Sequence, residues 1–145
     1  MLTWAAVNGC LWQSTTTCAR IAKGGYLAVL RWARAHGCPW NERTCQAAAE
    51  GGYLDVLRWA REHGCPWNEV TCSAAARGGH LAVLRWAHEH DCPWNESCCV
   101  QAANHGHLEV LSWARAHGCP WNKMLCEVYS QSHPDTLEWV REQQP

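Results

Sequence analysis

The chain has 145 residues, enough for one well-buried domain, and a formal net charge of −1, which leaves no basic stripe to draw nucleic acid or an anionic membrane. No apolar run approaches the ~18 residues that a membrane-spanning helix needs. Met1–Val7 is mildly apolar but lacks the basic flank of a signal peptide.

Residues 1–8 open the chain in mid-unit. Leu2, Trp4, Gly9 and Cys10 match Leu30, Trp32, Gly37 and Cys38 at an offset of 28, and the extra residue falls in Ser14–Thr17. The segment reads as the second helix of a repeat without its first, either the edge of a longer array or a capping half-repeat. Cys38, Cys65, Cys92 and Cys119 then recur every 27 residues, as do Trp40, Trp67, Trp94 and Trp121. A second series, Trp32, Trp59, Trp86 and Trp113, keeps the same period. Self-similarity at a fixed period of ~20–50 residues is the signature of a stacked array. A single repeat domain over residues 1–145 is expected, with full units at 9–36, 37–63, 64–90 and 91–117. The unit at 118–145 is degenerate, with Lys123-Met124-Leu125 breaking the pattern and Pro134 in place of a leucine.

Each unit writes two short helices. In the unit 37–63, Asn41 is a good N-cap and Glu42 suits the positive end of the first helix. Cys45, Ala48 and Ala49 then fall on one face of small residues, which lets helices approach closely. Gly51-Gly52 ends that helix, and Tyr53, or its counterparts His80 and His107, leads into the second. Leu54, Val56, Leu57, Trp59 and Ala60 make the second helix apolar over more than half its circumference, so neighbours must sandwich it. His63 stands near the negative end of its dipole, and Gly64 terminates it. With only short connections left, no room remains for a strand. The expected fold is all-α, a right-handed solenoid of about five stacked helix-turn-helix pairs without β-hairpin fingers.

Ala75-Ala76-Arg77-Gly78-Gly79-His80-Leu81-Ala82-Val83-Leu84 and, still more closely, Ala102-Ala103-Asn104-His105-Gly106-His107-Leu108-Glu109-Val110-Leu111 resemble the helix-turn-helix core of ankyrin repeats. Thr44 and Thr71 match the threonine that opens the family's T-P-L-H motif, but cysteine stands at the proline position and the histidine is absent. The 27-residue unit is also shorter than the family's ~33, and Gly-Cys-Pro-Trp-Asn replaces the projecting β-turn. The resemblance covers nearly the whole chain. It implies a non-catalytic scaffold that binds a protein partner on its inner helical surface, as a monomer or as part of a longer array.

The residues reach the same class by themselves, because stacked units build an extended surface. Core positions hardly change between units, whereas the opposite side of the first helix does. That side carries Arg43, Gln46, Ala47 and Glu50, then Val70, Ser73, Ala74 and Arg77, then Ser97, Val100, Gln101 and Asn104. These are the candidate partner-binding residues, with Ala47 and Ala74 leaving shallow grooves between longer side chains. An uninvolved solvated face would vary in the same way. Asp55, Arg58 and Glu62 on the second helix read as ordinary solvation.

Other chemistries are written more weakly. Both tryptophan series recur beside proline, leucine and alanine, which reads as a core ladder rather than an aromatic cage. Zinc is an alternative: His63-Gly64-Cys65 with Cys72, and His90-Asp91-Cys92 with Cys98 and Cys99, gather candidate ligands. They lack the close Cys-x₂₋₄-Cys pairs of structural zinc sites, so neither a metal nor another cofactor is expected. A helical-repeat RNA reader is a further alternative, opposed by the balanced charge. No cysteine has the setting of a nucleophile, and no glycine pair that of a phosphate loop, so no catalytic residue is assigned. Equivalent cysteines of neighbouring units lie ~10 Å apart, beyond the ~7 Å Cα separation a disulfide needs. Reduced thiols in an intracellular compartment, cytoplasm or nucleus, are therefore expected.

Overall fold

A computed structural model describes residues 14–144. The half-unit expected at 1–8 and the opening of the unit at 9–36 lie outside the described residues. Among the described residues ten helices follow one another, with no strand. They are α1 (Thr16–Lys23), α2 (Leu27–Ala35), α3 (Glu42–Gly51), α4 (Leu54–Glu62), α5 (Glu69–Gly78), α6 (Leu81–Glu89), α7 (Glu96–Asn104), α8 (Leu108–Ala116), α9 (Lys123–Tyr129) and α10 (Pro134–Glu142). Odd and even helices pair as antiparallel hairpins, five in all among these residues.

The helix ends follow local chemistry. The Oδ1 atoms of Asn41, Asn68 and Asn95 accept the backbone N–H of Arg43, Val70 and Ser97, each at 3.0 Å. Glu42, Glu69 and Glu96 sit in the first turns, where the helix dipole favours negative charge. At the far end of α3, Gly52 takes a left-handed φ of 77°, so that Gly52 N–H reaches Ala49 O and Tyr53 N–H reaches Ala48 O at 2.9 Å. This closes the helix and aims the chain into α4. Only glycine fits there for a second reason: a Cβ on Gly52 would lie 2.5 Å from the His80 ring of the next hairpin.

Packing is uneven, and the sequence explains why. The first helices α1, α3, α5 and α7 press closely on one another, whereas the second helices of neighbouring hairpins make few mutual contacts. Cys45, Ala48 and Ala49 on α3, with their equivalents on α5 and α7, are wholly buried between these helices. Their short side chains admit close backbone approach. Leu57, Leu84 and Leu111, with Val56, Val83 and Val110, fill the layer beneath the second helices. The first helices thus form the tightly packed layer of the stack, and the second helices the looser one.

Histidines fasten the units together. The Nε2–H of His80 donates to the Glu50 carbonyl at 3.0 Å, that of His107 to Arg77 at 3.0 Å, and that of His133 to Asn104 at 3.1 Å. Each bond satisfies a carbonyl near the end of the preceding first helix, which would otherwise lack an intrahelical partner. Desolvation holds His107 below its ordinary pKa, aided by the neighbouring His105, His80 and His133, while its bond to Arg77 opposes the shift.

Candidate functional site

The variable side of the first helices forms ordered rows. In the N-terminal row stand Arg43, Val70 and Ser97; Arg43 and Val70 are exposed and Ser97 is half-buried. Gln46, Ser73 and Val100 follow, all half-buried. The last row holds Lys23, Glu50, Arg77 and Asn104, alternating in sign at its start, with Lys23 Nζ 3.9 Å from the Glu50 carboxylate. Such a partly solvated pair contributes little to stability.

Two candidates sit deeper than expected. Ala47 and Ala74 are buried, at 7% and 6% exposure, and do not belong to the open face. The first helices approach so closely that neighbouring side chains cover a lone methyl group, and Gln101 is half-buried at the same register. Ala47 is the floor of a shallow depression of about 400 Å³ between α1 and α3, walled by Ala19, Arg43, Gln46 and Glu50. The structure thus brings Arg43, Gln46, Ala47 and Glu50 together around one hollow. The candidates on α5 and α7 continue the rows without being gathered around it.

The tryptophans form a second face that the sequence reading assigned to the core. Every described tryptophan is half-buried instead, on the side of the second helices. The reason is the spread of those helices, which leaves gaps only a large flat ring can span. Trp40 meets Trp59 edge to face at 5.7 Å, Trp67 meets Trp86 at 5.8 Å, and Trp94 meets Trp113 at 5.9 Å. Arg34 and Arg61 lie over Trp40 and Trp67, each at 4.2 Å, while donating to the carbonyls of Cys38 and Cys65. His88 replaces this arginine in the third hairpin and stacks on Trp94 at 4.2 Å. On the other flank, the Nδ1–H of His63, His90 and His117 donates to the carbonyl four residues earlier, at 2.8 Å, with the imidazole stacked on that residue's indole. The helix-end role expected of His63 is thus a specific bond. Arg58, Arg61, Glu62, Trp67, Trp86 and His90 line a second depression of about 280 Å³.

The cysteines deliver what the 27-residue period concealed. Each described cysteine is a free thiol and buried, but the close neighbours are not equivalents. Cys18 and Cys38 touch sulfur to sulfur at 2.9 Å. The signal was present as a 20-residue spacing, Cys18/Cys38, Cys45/Cys65, Cys72/Cys92 and Cys99/Cys119, overlaid on the main repeat. Burial pushes the Cys18 thiol up, helped by its bond to Cys38; contact with Cys45 does the same to Cys65, with burial second. Such protonated thiols are poor nucleophiles. His63 and Cys65 do not converge with Cys72 on an ion, and among the described residues no group of three His, Cys, Asp or Glu side chains is placed to hold one. Nor is any helix among them long and apolar enough to cross a membrane. No protein-family model matches the chain, and no curated protein is similar to it.

Proposed function

We propose that the chain is a non-catalytic scaffold, related to ankyrin repeats, that binds a protein partner along the row of first helices. The observation that carries this reading is the hollow over Ala47. Its walls, Arg43, Gln46 and Glu50, are positions that vary between units, on helices whose packing faces stay almost constant. A rigid floor of alanine with changeable polar walls is suited to seat a partner's helix or extended segment, because the floor gives shape and the walls give selectivity. Rows that continue over Val70, Ser73 and Arg77, then Val100, Gln101 and Asn104, extend such a seat across several hairpins. The near-neutral charge favours a protein over RNA or an anionic membrane.

The test pairs partner capture with charge reversal. Arg43→Glu, Glu50→Lys and Arg77→Glu together are expected to lose the captured protein, in high and low salt alike. The melting temperature should stay nearly unchanged, since exposed substitutions rarely move stability by more than about 0.5 kcal/mol. The control reverses Asp55, Arg58 and Arg85, all exposed on the second helices. Loss of binding in the control, with normal binding by the first-helix variant, moves the functional face to the tryptophan ladder beside Arg58.

A further inference from the structure

Each of the first four hairpins ends by returning a cysteine onto its own first helix. Cys38 follows α2 and meets Cys18 of α1, and Cys65 follows α4 and lies against Cys45 of α3, whose Sγ reaches the Cys65 carbonyl. Cys92 likewise lies against Cys72 of α5, and Cys119 against Cys99 of α7. The backbone repeats the arrangement. The Sγ of Cys65 lies 3.3 Å from the Asn41 carbonyl, and those of Cys92 and Cys119 lie 3.5 Å from Asn68 and Asn95. The helix thiols of Cys18 and Cys45 reach the carbonyls of Cys38 and Cys65 at 3.9 and 4.0 Å. Four buried cysteine pairs thus stand at the closures of four hairpins, in sulfur-to-sulfur contact at Cys18 and Cys38.

We propose that these four cysteine pairs are redox modification sites, each converted to a hairpin-closing disulfide by exchange with a low-molecular-weight disulfide such as oxidised glutathione. One protein thiolate attacks a sulfur of the small disulfide, forming a mixed disulfide and expelling one thiolate. The partner cysteine's thiolate then attacks the protein-side sulfur, forming the Cys–Cys bond and expelling the second. Two electrons pass from the protein pair to the small disulfide, and the two protons released by the protein thiols leave with its two thiol products. A shared metal ion is a poorer reading. Sulfurs that share one must stand nearly 4 Å apart, since each lies about 2.3 Å from it, whereas Cys18 and Cys38 touch at 2.9 Å.

Burial sets the pace. With no sulfur exposed, attack waits for a hairpin to open locally, and the bridge then captures the closed form. Each bridge ties a first helix to the exit of its own second helix, so oxidation stiffens the row of first helices without altering its side chains. In the fourth hairpin both Cys98 and Cys99 of α7 are buried beside Cys119, so that bridge has two routes.

The experiment incubates the reduced chain with excess oxidised glutathione and then blocks free thiols in denaturant. Intact mass, disulfide-linked peptides and helical circular dichroism are measured on the same sample. The expected product is a folded monomer with bridges Cys18–Cys38, Cys45–Cys65, Cys72–Cys92 and Cys119 to Cys98 or Cys99, without glutathione retained on any of these bridged cysteines. It should melt at a higher temperature than the reduced chain. A Cys65→Ala variant should lose the second bridge and retain glutathione on Cys45. A folded chain that keeps its thiols, forms other pairings, or carries glutathione at both members of a pair overturns the proposal. Bridges that form only after helical signal is lost overturn it as well.

Discussion

Alkaline pH should unfold this protein early, and steeply. Cys18, Cys65, Cys92 and Cys99 stand one in each of four hairpins, and each holds its proton far above the ordinary value of 9.0. For Cys65, Cys92 and Cys99 the main cause is the bond to the partner thiol, with burial second; for Cys18 burial comes first. A folded-state pKa above the unfolded one means that stability is intact below about pH 9 and is lost as pH rises, because the unfolded chain releases protons that the folded chain keeps. Cys119 and Cys126 are held up as well, to about 12. Each such thiol removes about 1.4 kcal/mol per pH unit, so the six together remove about 8 kcal/mol per unit. Against a total stability of about 5–15 kcal/mol, half the molecules should be unfolded between about pH 9.5 and 11. Urea melts followed by circular dichroism from about pH 8 to 10, with reductant present, measure the slope. The variant Cys65→Ala with Cys92→Ala removes two of the six thiols and should cut that slope by about a third. A midpoint flat across this range, or a slope unchanged in the double variant, refutes the reasoning.

Two further expectations concern stability at neutral pH. Trp59 and Trp86 are half-buried and each meets a second indole edge to face, so truncation to alanine should cost about 2–3 kcal/mol, below the ~3–5 of an enclosed aromatic. Trp139, in the degenerate last hairpin and 6.2 Å from Trp121, should cost clearly less; equal losses in chemical denaturation would contradict a stack held by neighbour contacts. Asp91 holds a left-handed φ of 64° where the equivalent Gly64 has 84°. Asp91→Gly should therefore stabilise by about 1 kcal/mol, seen as a shifted urea midpoint at constant slope, and a destabilised variant would show that the aspartate side chain does something there that its backbone does not reveal.

What the sequence determined by itself was whatever is decided within one unit. The asparagine caps, the glycine exit after Ala49 and the wide apolar arc of Leu54 to Ala60 act over a few residues, so all-helical hairpins could be read from their spacing. The candidate row of Arg43, Gln46 and Glu50 was legible for the same reason, as the side of a helix opposite its small residues. What the tertiary structure decided was everything that depends on the distance between units. Small residues draw the first helices together, which buries Ala47 and Ala74 and turns an exposed position into the floor of a hollow. The second helices are left apart, so the tryptophans become a half-buried ladder with Arg61 and His88 stacked on it instead of a sealed core. The period of 27 directed attention to equivalent cysteines, which the stacking distance keeps separate. The return of each chain onto its own first helix pairs cysteines 20 residues apart, because contact between sulfurs is set by the closure of a hairpin and not by the repeat that it belongs to.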